Sequence, residues 1–305
     1  MPTHASVLPE PTAARDANAP PARLHVAALT HTFEAEDGAA VPIFAGLDFT
    51  VGSGEIVSIV GRSGAGKSTL FNLISGLLPP QSGRVEIGPR ADGSPGRIAY
   101  MLQKDLLLPW RSVLENAVLG IELFRKVTPH DIERARHMLA RYGLGAVADA
   151  YPHSLSGGMR QRVALTRTLL VDPTLVLLDE PFSALDYETR LALEDDVMAL
   201  RETNGTSVVL VTHDIEEAIA MSDRVIILGG RPARIEQALD IELTVDGARN
   251  AISAREAPEF RTWHARIWGA LRGQAIHGSQ AAHVAPVAQA AAGTQSRDER
   301  KGIAA

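Results

Sequence analysis

The sequence predicts an α/β fold: a mostly parallel sheet wound with helices and interrupted by an inserted α-helical subdomain. Three observations lead there. Short, β-branched apolar runs of the kind buried in parallel sheets recur at residues 55–60, 174–178, 207–211 and 224–228, with helical stretches between them. The first of these runs feeds a glycine-rich turn, residues 61–69, that opens a helix. From about 104 to 165 the sheet signal stops and helical periods replace it.

Composition sets the bounds. A chain of 305 residues, 45% apolar and 22% charged, can bury a full core and hold one or two domains. The net charge of −6 argues against a surface built for nucleic acid. Without cysteine there are no disulfides and no thiolate metal sites, which fits a reducing compartment. The N-terminal stretch has no apolar h-region of a secretory signal, and no run of 18 apolar residues appears, so the chain is not expected to cross a membrane by itself.

In chain order, residues 1–22 are rich in Ala and Pro and expected to be disordered, because they bury too little surface to offset ordering entropy. Residues 24–29 and 43–51 carry strand patterns with Asp37-Gly38 as a turn, and 83–87 and 97–102 add two more strands, the last ending on Gln103. The helix after the glycine turn is expected over 70–78, stopped by Pro79-Pro80. Inside the helical block, Val113, Ala117, Leu119, Ile121 and Leu123 mark one helix and Ile132, Ala135, Met138 and Leu139 a second, with Pro129 in its first turn. A loop over 143–152 leads into an Arg- and Leu-rich helix ending near 170. Helices are expected at 188–202 and 215–221. After Gly230 the pattern reads as a terminal strand pair and an amphipathic helix over 258–271; residues 273–305, rich in Ala, Gln and Gly, are expected to be disordered. The organisation is thus a tail (1–22), a main domain (23–240, helical part about 104–165), an extension (241–272) and a second tail (273–305).

The chemistry starts at Gly61, Arg62, Ser63, Gly64, Ala65, Gly66, Lys67, Ser68 and Thr69, which fit G-x-x-x-x-G-K-[ST]. Glycines let successive N–H groups point inward, and the helix start adds partial positive charge, so the turn is an anion cradle for nucleotide phosphates. Lys67 then reaches the β- and γ-phosphates and the Ser68 hydroxyl ligates Mg2+. Asp179 and Glu180 end a buried strand, where Asp179 suits the Mg2+ shell and Glu180 a general base on water. A lone histidine such as His213, or a lone glutamine such as Gln103, is ordinarily a solvated or packed residue. Both, however, follow strands whose ends should face the nucleotide.

Residues Leu155, Ser156, Gly157, Gly158, Met159, Arg160, Gln161 and Arg162 resemble the signature of ATP-binding cassette (ABC) ATPases. Around them Gln103 is similar to that family's Q-loop, Asp179-Glu180-Pro181 to its Walker B end, Ser183-Ala184-Leu185-Asp186 to its D-loop and His213 to its switch histidine, together spanning about 24–230. The resemblance implies an α/β, RecA-like phosphate-loop NTPase core with an antiparallel β subdomain and an inserted α-helical subdomain, binding ATP and Mg2+, with Lys67, Gln103, Glu180 and His213 catalytic and Ser68, Gln103 and Asp179 around the metal. It also implies a head-to-tail dimer with a second copy, in which Ser156, Gly157 and Gly158 meet the γ-phosphate of ATP held by the partner. Phe33 stands where the family stacks an aromatic on adenine; the alternative is a core phenylalanine.

With one cassette and no long coiled coil, the chain resembles the separate ATPase subunits of prokaryotic importers. Leu106, Leu107, Leu108, Pro109, Trp110 and Arg111 after Gln103, Tyr151-Pro152-His153 before the signature and Pro258-Glu259-Phe260 resemble the nitrate/sulfonate/taurine group. That resemblance implies integral-membrane permease subunits, a periplasmic or lipid-anchored binding protein as indirect partner, and a place on the cytoplasmic face of the inner membrane. The leucines with Trp110 form either an apolar dock for the permease or part of the helical core. The rival functions are a non-transport ABC ATPase acting on nucleic acid or ribosomes, and a catalytically dead regulatory cassette.

Overall fold

A computed structural model of the chain describes residues 22–90 and 92–281. Strands β1 (Ala22–Glu34), β2 (Ala40–Gly52) and β4 (Ser82–Ile87) form an antiparallel sheet in the order β2-β1-β4. The second sheet runs β5-β6-β7-β3-β8-β9, with β3 Ile56–Gly61, β5 Ile98–Met101, β6 Leu175–Asp179, β7 Ser207–Val211, β8 Arg224–Gly229 and β9 Arg234–Asp240. All its pairings are parallel except β8 with β9. Strands β6 and β7 are buried at every position, which is why their sequences are apolar runs and do not alternate.

The helices are α1 (Lys67–Ile74), α2 (Val113–Glu122), α3 (Pro129–Arg141), α4 (Gly157–Leu169), α5 (Tyr187–Asn204), α6 (Ile215–Met221), α7 (Ala251–Glu256) and α8 (Phe260–Ala281). Capping boxes start α2, at Ser112 with Glu115, and α3, at Thr128 with Asp131, where Pro129 occupies the first turn as expected. One apolar cluster joins α2, α3 and α4 to one face of the large sheet; a second fills the space between the other face and the antiparallel sheet around Phe44, Phe71 and Leu70. A third packs α6 and α8 beside β8 and β9.

Four expectations need correction. Helix α1 starts at Lys67 and ends at Ile74, short of 78, because Gly76 turns the chain with φ +78° before the prolines are reached. After Gly230 one strand, β9, forms among the described residues where a pair was expected; it completes the sheet on β8. The C-terminal helix begins at Phe260, follows the short α7, and runs to Ala281, so 273–281 is helical where disorder was expected. The first tail ends one residue early, since Ala22 opens β1; residues 1–21 and 282–305 lie outside the described residues.

Candidate nucleotide site

Strand order and register assemble the site. Ile59 of β3 is level with Val211 of β7, and Val211 with Asp179 of β6; Met101 of β5 is level with Leu178. The carboxyl ends of four parallel strands therefore finish together, the place where ligands of such sheets bind. Gln103 and Glu180 each lie two residues beyond a paired position, Met101 and Leu178, and their side chains meet: Gln103 Nε2 donates to Glu180 Oε2 at 3.2 Å. His213, two residues past Val211, brings Nδ1 to 3.3 Å from Glu180 Oε1.

The glycine turn from β3 to α1 has the shape its sequence demands. Gly64 and Gly66 have φ of +80° and +82°, and a side chain at Gly66 would come within 2.8 Å of Ile43 and 2.9 Å of Phe44 on β2. Arg62, Ser63, Gly64 and Ser68 are exposed, while Gly61, Ala65, Gly66, Lys67 and Thr69 are half-buried. Lys67 Nζ folds back onto the carbonyls of Gly61, at 2.8 Å, and Arg62, at 3.2 Å, so its cation lies within the loop. Burial lowers its pKa, while Glu180 and Asp179 pull in the other direction.

Ser68 Oγ donates to Asp179 Oδ2 at 3.0 Å. Asp179 is buried, and burial pushes its carboxyl up against the opposing Ser68 hydrogen bond; the neighbouring Glu180 adds to the rise and Lys67 opposes it. A buried carboxylate beside a hydroxyl is a hard-oxygen donor set suited to a small divalent cation. Gln103 stands in contact with Glu180 and shares no hydrogen bond with the Ser68–Asp179 pair. Among the described residues no cluster of three His, Cys, Asp or Glu side chains could hold a metal alone, so any ion here takes other oxygens as well.

Glu180 itself has φ +50°, strained for a residue with a Cβ, and is held by its N–H to Val211 O at 2.8 Å. Its carbonyl accepts from Gln161 Nε2 at 3.0 Å, and Gln161 Oε1 accepts from Ala184 N at 3.2 Å. Gln161 thus ties α4 both to the end of β6 and to the turn before α5. Ser156 caps α4 by accepting from Met159 N, and Gly158 lies so close to Ala184 O that a side chain would approach it to 3.1 Å. Gly157 stays exposed, so the helix start presents N–H groups outward.

Phe33 is 43% exposed and meets His31 edge-on at 4.7 Å; it offers a ring face and is not in the core. The leucine segment divides. Leu107 is buried in the helical core, Leu108 is half-buried, and Leu106 and Trp110, 71% exposed, point outward. Two contacts organise this segment, and the first belongs to a residue with no motif around it. Buried Asn116 accepts from Leu108 N and donates to the carbonyls of Leu108, Arg111 and Ser112. Arg160 pairs with Asp105 at 3.1 Å, and their separation of 55 residues leaves no local signal.

The family model described as ABC transporter matches residues 44–183. Over 207 residues, 66% of this chain and 75% of the other, the sequence is 46% identical to the aliphatic sulfonates import ATP-binding protein SsuB 2 of Agrobacterium fabrum. It is 41% identical over 215 residues to the nitrate import ATP-binding protein NrtC of Synechococcus elongatus, covering 68% of this chain and 32% of that longer one. Among solved structures, the post-hydrolysis dimer of the ATP-binding cassette MJ0796 bound to ADP and Pi is similar, with TM-score 0.64 and 30% identity over 72% of this chain and 99% of that one.

Proposed function

The chain belongs to the ABC transporter family as an ATP-binding cassette, and from that premise we propose that it is the ATP-hydrolysing subunit of an importer for a small anion such as nitrate, an aliphatic sulfonate or taurine. The observation that carries the reading is the meeting of Ser68 with Asp179 and of Glu180 with Gln103 and His213 at one end of the sheet. In it, Lys67 leaves the carbonyls of Gly61 and Arg62 for the β- and γ-phosphates, and the loop from Gly61 to Thr69 wraps them. Ser68 and Asp179, with Gln103, hold Mg2+, which when bound neutralises charge on the phosphates. Glu180 takes the proton of the attacking water, and His213 and Gln103 fix its carboxylate on either side. Phe33 stacks on the adenine.

Residues 22–240 form the ATPase domain in this reading, with 241–281 as an extension. Ser156, Gly157 and Gly158 complete the site of a second copy, as the outward-facing start of α4 and the dimer of the similar cassette support. Leu106 and Trp110 are the exposed part of the dock for integral-membrane permease subunits, which in turn receive cargo from a binding protein. The chain then works at the cytoplasmic face of the inner membrane; no helix of the described residues is long and apolar enough to cross it. The test is paired: phosphate release from ATP by the purified chain, and affinity capture from membranes. Release together with recovery of a permease supports the reading, whereas recovery with ribosomes or DNA rejects it.

A further inference from the structure

Behind the switch histidine lies a buried acid that the mechanism above does not use. Glu217, on α6, is 4% exposed. Its Oε2 accepts from Thr212 Oγ1 at 3.2 Å, while its Oε1 has no hydrogen-bond partner among the described residues. Thr212 Oγ1 in turn accepts from Asp214 N at 3.0 Å, so the turn carrying His213 is braced from behind by Glu217. Asp214 caps α6 and takes Arg190 at 3.1 Å. Between Glu217 and the Glu180–His213 pair is a cavity of about 60 Å³, lined by Glu180, Arg190, Thr212, His213, Asp214 and Glu217. Phe182 shares the lining, so the space is part apolar, but its volume seats one or two waters beside the polar groups.

We infer that Glu217 is a positioning residue for ATP hydrolysis: it seats a water against its Oε1 in this cavity and, through that water and Thr212, holds His213 against Glu180. This rests on the ATPase reading above. The groups facing Glu217 are Asp214 at the cap, Arg190 and Glu194 from α5, and Glu180 and His213 across the cavity; Glu194 is itself paired with Arg255 of α7 at 2.7 Å. Among the described residues no cation pairs with it directly. Burial first, then Glu194 and Asp214, push it up to about 8, against Thr212 and Arg190. At neutral pH the acid is therefore protonated, and its O–H is the donor that the water accepts.

The sign follows from linkage. The unfolded chain ionises near the ordinary value of 4.5, so the stability held by the neutral acid is full below that pH, declines above it and is gone beyond about 8. Glutamine mimics the neutral acid, donating to the water and accepting from Thr212. In the full-length chain, the melting temperature of Glu217→Gln should gain on wild type by about 2–5 °C between pH 5 and 9. Wild-type kcat should fall on the alkaline side with an apparent pKa near 8, a limb that Glu217→Gln moves upward by about one pH unit or more. Glu217→Ala should lose about tenfold or more in kcat at nearly constant KM, and glutamine should restore most of it. A pH-independent melting gap with the same alkaline limb in both proteins, or full turnover by the alanine variant, overturns the inference. If wild type releases no phosphate at any pH, the ATPase reading falls instead, and the melting comparison, made without nucleotide, still decides the role of Glu217.

Discussion

Ser68 Oγ donates to Asp179 Oδ2 at 3.0 Å, linking the first turn of α1 to the end of β6 across 111 residues. The strands involved, β3 leading into α1 and β6 ending on Asp179, are not neighbours, because β7 lies between them. The contact exists because the three strands end level, and because α1 starts at Lys67 rather than further along.

Asp179→Asn keeps the size of the side chain and its capacity to accept from Ser68 but removes the charge. Turnover of ATP should fall by about 100-fold or more, and the response of turnover to added Mg2+ should flatten. Phosphate release measured over a titration of Mg2+, with chelator as the zero point, checks both. A variant with wild-type Mg2+ dependence would remove Asp179 from the metal site.

Glu180→Gln should bind ATP with near wild-type affinity, lose about 100- to 10,000-fold in turnover, and accumulate as a closed dimer. Equilibrium nucleotide binding, phosphate release and size-exclusion chromatography with ATP separate the three effects. Wild-type hydrolysis by this variant excludes Glu180 as the base.

Asn116 is fully buried and closes four hydrogen bonds to the segment that ends in Ser112. Asn116→Ala leaves those backbone groups unsatisfied in the interior, and should destabilise the protein by about 2–4 kcal/mol. Denaturant unfolding reads this directly; a loss below about 0.5 kcal/mol would mean that water replaces the amide.

Trp110→Ala combined with Leu106→Ala removes the outward apolar groups without touching Leu107 in the core. Recovery of the permease in affinity capture should drop by about tenfold or more, with the melting temperature within about 2 °C of wild type. Undiminished recovery would move the dock elsewhere on the surface.

Much of the site could be read before any tertiary contact was known, because its parts are contiguous. The strand, glycine turn and helix around Gly61–Lys67 are a local structure, and Gly66 advertises the left-handed backbone that its position requires. Ser156 is likewise a helix cap readable in place. The failures are also local in origin. The extent of α1 was read from Pro79-Pro80, but Gly76 is the earlier and sufficient stop. The run from Leu106 to Trp110 looked uniform because composition does not say which side chain turns inward, and Leu106 at φ +44° rotates the chain so that Leu107 alone enters the core.

The sequence by itself determined the kinds of group present: a glycine turn with the phosphate-loop pattern, a second helix start carrying two glycines, two acids at a strand end, and a histidine after the next buried strand. It did so because each is written in a few adjacent residues whose backbone needs are specific. Only the tertiary structure decided who meets whom. Gln103 reaches Glu180 across 77 residues, Gln161 grips the Glu180 carbonyl, and Glu217 stands behind His213 with one oxygen unpartnered. Those contacts depend on strand order and register, which bring strand ends together regardless of their distance along the chain. Glu217 owes its raised pKa to burial and to two other acids, Glu194 of α5 and Asp214 at the cap of α6.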